Sequence, residues 1–371
     1  MDSLSRFLKV WRSVTVSERE FIEAVVSPEH MGPSPELRQA LGDWPGTFYW
    51  AAGADEGRLV LIRNTAPVRK ERWWLHFLLF AVSFVTVWMS GTLLAGLGAV
   101  PHVPVFRDPL TAGQVLVDWV RQLGPGAGLG FAVTLMGILL AHEMGHYFAA
   151  RRYRIDTSPP YFLPAPPWYF FIGTFGAFIR LRSPVIDRRQ LMDVGAAGPW
   201  IGFLVAISAF ALGLGWSEVI GGVGATQQVI MFGDLRFYLG DSLITEWLRT
   251  LIVGDGAVLL HPLAQAGWVG ILVTALNLMP FGQFDGGHVV YAMVRNLQRL
   301  VGVSMLVLLI VLGFDFWFWW VWAAFILVVS GGRIGHPTVL DHHRPLPRSR
   351  RVLGLATVLL FALTFIRVPF A

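Results

Sequence analysis

From Trp73 to the C-terminus, apolar runs of bilayer-crossing length follow one another with short polar breaks between them. About 20 helical residues cross the hydrocarbon of a membrane. Lipid cannot bond to exposed backbone groups, so such runs fold as helices that satisfy their own hydrogen bonds. The helix candidates are 73–99, 128–150, 194–215, 261–281, 301–314, 316–332 and 352–369. The fifth and sixth are short, and the WFWWVW run where they meet reads as an interfacial aromatic belt. That pair reads as two helices, a tight hairpin or one broken helix. Composition agrees: 54% of the 371 residues are hydrophobic and only 14% charged, where soluble chains carry about a quarter charged. The expected fold class is an all-α polytopic membrane protein with about six or seven transmembrane helices.

Residues 1–71 form the one polar stretch of any size. Ser17, with Glu20 three positions on, fits a capping box opening a short helix. Ser34-Pro35 followed by Gly42 fits a second helix. TFYWAA and RLVLIR flank the turn-like GADEG and read as a β-hairpin. A small α+β domain is expected at 1–71, ahead of a membrane-embedded domain at 72–371. The opening MDSLSRFLKVWRSVTVSERE has no apolar core of signal-peptide length, so it is read as retained and cytosolic.

Charge supplies the orientation. Residues 151–193 carry seven Arg against three Asp, 216–258 two Arg against five acids, and 331–351 five Arg against one Asp. Positive loops stay in the cytosol, so the first and third face inward and the second outward. The net charge of +5 is thereby explained as topology and not as a nucleic-acid surface.

The chain has no cysteine, which excludes thiolate ligands, disulfides and cysteine nucleophiles. Any metal site must use His and carboxylates. His142-Glu143-Met144-Gly145-His146 supplies them. Residues four apart share a helix face, so both imidazoles can reach one ion, with Glu143 beside them to take a proton from the attacking water. With ten His in the chain, about 0.01 such motifs are expected by chance. The motif lies in an apolar run, nine residues before Arg151 and so roughly 13 Å along the helix from the charged loop. Ionisable groups at that depth are expensive and need partners. A catalytic zinc takes three protein ligands and keeps one position open. Asp285 is a candidate third ligand: Pro280 breaks the helix before it, two glycines follow it, and its segment returns to the same side of the membrane. It reads equally well as a loop aspartate capping the next helix.

HEMGH at 142–146 with NLMPFGQFDGG at 277–287 resembles the paired HExxH and NxxPxxxxDG signature of site-2 proteases, the intramembrane zinc metalloproteases. FFIGTFGAFIRLRSP at 170–184 is similar to that family's membrane-associated β-hairpin, and VGAAGPWIGF to its Gly-Pro helix opening, here 194–215. The later helices, 261–287 and 301–369, with the tail GHPTVLDHHRPLPRSRR, resemble most a bacterial and plastid subgroup without a PDZ domain. That subgroup includes the ethylene-dependent gravitropism-deficient and yellow-green proteases. The resemblance covers most of 73–371. It implies one zinc ion held by His142, His146 and Asp285, with Glu143 as the general base. It places Asn277 near the substrate carbonyl, where its amide would stabilise an oxyanion; bonding to the helix backbone broken at Pro280 is an equal reading. His288 is not a family ligand and reads as a residue behind the ligands or at the interface. His261 and the His342-His343 pair read as interfacial or loop residues. Membrane-protein substrates with a transmembrane helix are implied as partners, in a bacterial inner membrane or a plastid membrane, with the active site toward the cytosol. A metal transporter and a catalytically silent scaffold are the competing classes. The intact HExxH and the distant Asp285 motif argue against both.

Overall fold

A computed structural model describes residues 2–16, 19–32, 34–51, 56–64, 71–96, 126, 128–167, 170–220, 227–232, 235–341 and 344–370. Its first part runs α1 (Asp2–Ser5), β1 (Leu8–Val16), β2 (Arg19–Val26), α2 (Pro35–Gly42), β3 (Thr47–Ala51) and β4 (Arg58–Asn64). The strands form one antiparallel sheet in the order β1-β2-β4-β3. Ser34 caps α2 by accepting the Leu37 N–H at 3.3 Å, with Pro35 at the first helical position. β3 and β4 pair as a hairpin, although most of the GADEG turn lies outside the described residues. The helix expected at Ser17 does not form. Ser17 lies outside the described residues, and Arg19–Val26 is strand β2. There Ile22, Ala24 and Val26 alternate inward against Leu37 and Leu41 of α2. Pairing with β1 on one side and β4 on the other satisfies that period-2 face, which a helix would scatter.

The second part is helical: α3 (Trp73–Leu94) and α4 (Leu129–Arg152), then the hairpin strands β5 (Tyr161–Pro164) and β6 (Thr174–Phe178), then α5 (Arg188–Leu214). Next come β7 (Glu218–Ile220), β8 (Gln228–Phe232), β9 (Leu235–Leu239), α6 (Leu243–Ile252) and β10 (Ala257–Leu259). The chain closes with α7 (Pro262–Asn277), α8 (Asp285–Val294), α9 (Gln298–Asp315), α10 (Phe318–Val329) and α11 (Arg348–Thr364). Among the described residues, four helical runs are long and apolar enough to cross a membrane: α3, α4, α5 and the continuous run Asp285–Asp315.

Several expected boundaries move. Residues 97–99 of the first span lie outside the described residues. α5 starts at Arg188 because Asp187 caps it, accepting the Gln190 N–H at 2.9 Å. The helix expected over 261–287 is two: α7 stops at Asn277 and α8 begins at Asp285. Pro280, with no N–H to donate, lies between them. The hairpin expected within 170–184 draws its first strand from Tyr161–Pro164 upstream. The 316–332 run yields the separate helix α10, tied to α9 by the Trp320 indole N–H, which donates to the Ile310 carbonyl at 2.9 Å. The stretch between α5 and α7 holds a sheet in the order β7-β10-β8-β9, so the all-α expectation gives way to a mostly helical fold with small sheets. Strands of three to five residues in a polar stretch leave too little periodicity to read.

α7 is the centre of the bundle. Trp268, Val269, Ile271 and Leu272 are all buried, as a helix apolar all round demands. It packs beside α4 and α5. α9 does the opposite: Leu300, Val307, Val311 and Phe314 stand exposed along it. An apolar face of that extent is stable against lipid and not against water. At the Arg-rich end, Arg350 of α11 bonds the Asp193 carboxylate of α5 at 2.9 and 3.0 Å, and Tyr153 donates to the same group. The N-terminal sheet meets this end, where Arg154 donates to the Gly42 carbonyl at 3.2 Å and Arg19 to that of Arg182.

Candidate metal centre

α4 turns His142, Glu143 and His146 onto its buried face, with exposures of 4%, 5% and 6%. The neighbouring helix α5 comes unusually close. A Cβ at Gly198 would overlap the His146 ring, and one at Gly202 would sit 2.9 Å from His142 Cβ. Glycine at both positions therefore makes room for the two imidazoles. α5 also orients His146: Nδ1–H donates to the Val194 carbonyl at 2.7 Å. That bond leaves Nε2 with its lone pair free, the tautomer a metal needs.

Asp285 completes the group from the other side. It is the first residue of α8, not its cap, which is Phe284. Its Oδ2 lies 3.3 Å from His142 Nε2 and its Oδ1 3.3 Å from His146 Nε2. The two Nε2 atoms are 3.1 Å apart. Ligand atoms around a tetrahedral ion with ~2 Å bonds sit roughly 3.3 Å from one another, so the donor set fits a small divalent metal. Among the described residues, His142, His146 and Asp285 are the group with metal-binding spacing. Two buried imidazoles and a largely buried carboxylate crowded together in this way would otherwise be a costly arrangement.

The remaining expected residues are accounted for as follows. Asn277, the last residue of α7, brings Nδ2 to 3.4 Å from His142 Nε2. Glu143 lies near the backbone of Ile179, just past β6, so hairpin and carboxylate face one another. His288 is outside the donor group; its Nδ1 pairs with His336 Nε2 at 2.7 Å. His261 caps α7 through Nδ1, which accepts the Leu263 N–H at 3.2 Å. His342 and His343 lie outside the described residues. The sequence reading leaves out Val194, Gly198 and Gly202. The glycine spacing in GAAGPWIG was a signal for close helix contact; the Val194 carbonyl left none.

Residues 130–314, which hold every member of this group, match the family described as Peptidase family M50. The chain belongs to that family. Three relatives of the M50 domain come from plants. The chain is 34% identical over 189 residues to "Probable zinc metalloprotease EGY1, chloroplastic" of Arabidopsis thaliana, covering 49% of this chain and 33% of that one. It is 31% identical over 195 residues to the protein of the same name from Oryza sativa subsp. japonica, covering 50% and 31%. It is 30% identical over 214 residues to "Probable zinc metalloprotease EGY2, chloroplastic" of Arabidopsis thaliana, covering 56% and 35%. This M50 chain spans about a third of the length of the curated relatives it matches. No solved structure matches it. With the apolar helices, M50 membership makes it an integral membrane protein.

Proposed function

We propose that this chain is a zinc metalloprotease that hydrolyses peptide bonds within or near transmembrane segments of membrane proteins. The observation that carries the proposal is the meeting of both HExxH imidazoles with Asp285 at 3.1–3.3 Å among membrane-length helices. Two imidazoles and a carboxylate form a donor set suited to zinc with an open fourth position. The printed names of the relatives support the same ion. When bound there, zinc supplies a Lewis acid that activates water and polarises the scissile carbonyl.

The protein's own residues do the rest. His142, His146 and Asp285 are the ligands. Glu143 takes the proton from the attacking water and passes it to the leaving amine. The Asn277 amide, beside His142, donates to the oxygen on which charge develops. A helical substrate hides its carbonyls in its own hydrogen bonds, so it must unwind first. The free edge of β6, with Phe175 and Phe178 exposed on it, takes the unwound segment as an added strand.

The test is a zinc-loaded proteoliposome assay on a set of single-span substrates differing only in helix stability. Gly or Pro near the scissile bond weakens the substrate helix by about 1–3 kcal/mol, and each ~1.4 kcal/mol is worth tenfold in rate. Faster cleavage of the weakened helices is expected, and slower cleavage of a Leu run. Rates indifferent to helix stability would remove unwinding as the limiting step, and no cleavage at all would sink the protease reading.

Residues 1–71 serve in this reading as a small cytosolic domain in front of the membrane domain 72–371. The bundle crosses a bacterial-type inner membrane about seven times, counting α7, α10 and α11, with the metal group toward the cytosol. The loop charges support that orientation. The lack of native cysteine makes it testable. In intact cells, a cysteine replacing the exposed Asp255 should react with a membrane-impermeant thiol reagent, and one replacing the exposed Arg189 should not. The reverse pattern would invert the topology.

A further inference from the structure

Between α7 and α8, residues 278–284 are non-helical backbone, buried from Leu278 to Gly282. Unwound backbone in hydrocarbon must find partners for its polar groups. Some are local: the Phe281 N–H bonds the Met279 carbonyl at 2.9 Å and the Phe284 N–H the Phe281 carbonyl at 2.8 Å. The Pro280 carbonyl looks further. It accepts from Nε2 of Gln298, the first residue of α9, at 3.1 Å. Gln298 is 2% exposed, and every polar atom of its amide is used. Nε2 also donates to the Ile334 carbonyl at 3.3 Å, and Oε1 accepts the His336 N–H at 2.8 Å.

The loop that Gln298 grips is itself fastened to both flanks of Asp285. The Ile334 carbonyl accepts the Gly282 N–H at 2.9 Å, on the upstream side. His336 Nε2 meets His288 Nδ1 at 2.7 Å, on the downstream side and one turn beyond Asp285 in α8. The His336 ring also stacks on Tyr291 of α8 with centroids 4.5 Å apart. His336 Nδ1–H donates to the Pro337 carbonyl, so the neutral ring accepts at Nε2 from His288. One turn along α9, Gly302 lets the helix approach: a Cβ there would lie 3.0 Å from the Pro280 oxygen and 2.7 Å from Ile334 Cγ2.

We propose that Gln298 is a positioning residue for the metal centre, holding Asp285 in ligating position through the Pro280 carbonyl and the 334–336 loop. The proposal rests on the reading of Asp285 as a zinc ligand. The reason is mechanical. Pro280 ends the helical ladder that would otherwise fix the segment, and Gly282 adopts φ +40°, a conformation with little intrinsic preference to hold it. The carboxylate that follows is placed by restraints from outside the segment, and Gln298 is the residue common to them.

The experiment measures the zinc dissociation constant by chelator competition on full-length protein in detergent, for wild type, Asp285→Ala, Gln298→Met and the double variant. Gln298→Met keeps volume and removes all three bonds. It is expected to raise the dissociation constant about 10–100-fold, the usual loss when a partner behind the ligands is removed. In the Asp285→Ala background it should cost no further affinity, because its effect runs through that carboxylate. A purely structural role would lower the melting temperature of the zinc-free protein and leave the dissociation constant unchanged, or would cost as much in both backgrounds; either result overturns the proposal. If Gln298→Met fails to fold, Gln298→Asn and His336→Ala each loosen one part of the clasp. They must then show the same Asp285-dependent loss in smaller measure, and unchanged affinity in both would overturn it too. Wild type without zinc affinity would overturn the ligand reading and this proposal together. A zinc-binding wild type weakened by Asp285→Ala but not by Gln298→Met overturns this proposal alone.

Discussion

Glu143→Gln is expected to lower cleavage by roughly 10²–10⁴-fold, the usual worth of a general acid–base group, with zinc still bound. Gln matches Glu in shape, so the buried site 5% exposed at Glu143 repacks without a cavity. The change removes only the ability to accept a proton. Glu143 lies outside the group with metal-binding spacing, so ligation is untouched. The amide oxygen of Gln would still face the Ile179 backbone near which the carboxylate lies. Single-turnover cleavage in proteoliposomes, paired with zinc content by atomic absorption, reads both halves. Cleavage within a few fold of wild type would take the proton-transfer role away from Glu143. A wild type that binds one zinc and cleaves nothing would instead favour a catalytically silent scaffold.

Of the proposed metal centre, the two histidines were legible in the sequence from a fixed helical period, whereas Asp285 needed the family resemblance as well. His142 and His146 are four apart, which on a helix means one face. Asp285 is flanked by a proline and two glycines, which mark a place where backbone and not propensity sets the path. Apolar runs of the required length fixed the main helices for the same reason. What stayed hidden is long-range pairing. Ser17 and Glu20 spell a helix start, yet two neighbouring strands claim the following residues as β2, and the cap loses to the sheet. The β7-β10-β8-β9 sheet is made of strands too short to show alternation, and its β8–β10 pair is parallel, with a partner distant in sequence. Val194 and Pro280 act through carbonyl oxygens, which every residue carries. No residue type could have announced them.

Asp285→Ala separates a ligand from a structural aspartate, since the two predict opposite results. Structural zinc sites gain about 10–16 kcal/mol from their full ligand set, so one ligand accounts for roughly 3–4 kcal/mol, or about 10²–10³-fold in affinity. Zinc occupancy at micromolar free metal should therefore collapse, and with it cleavage. The fold should persist. Asp285 is not the cap of α8, and its carboxylate touches the two histidines instead of the backbone of its own helix. Alanine is also a good first-turn residue. The melting temperature of the zinc-free variant should thus stay near that of zinc-free wild type, while the stabilisation added by zinc disappears. Asp285→Asn keeps one carbonyl oxygen in place and loses the charge, so it should fall between alanine and wild type in affinity. Full zinc loading of Asp285→Ala, with a lowered melting temperature, would make Asp285 a helix-start residue. His142 and His146 would then need a different third partner; Asn277 already has a polar atom 3.4 Å from His142 Nε2 but is a far weaker ligand than a carboxylate.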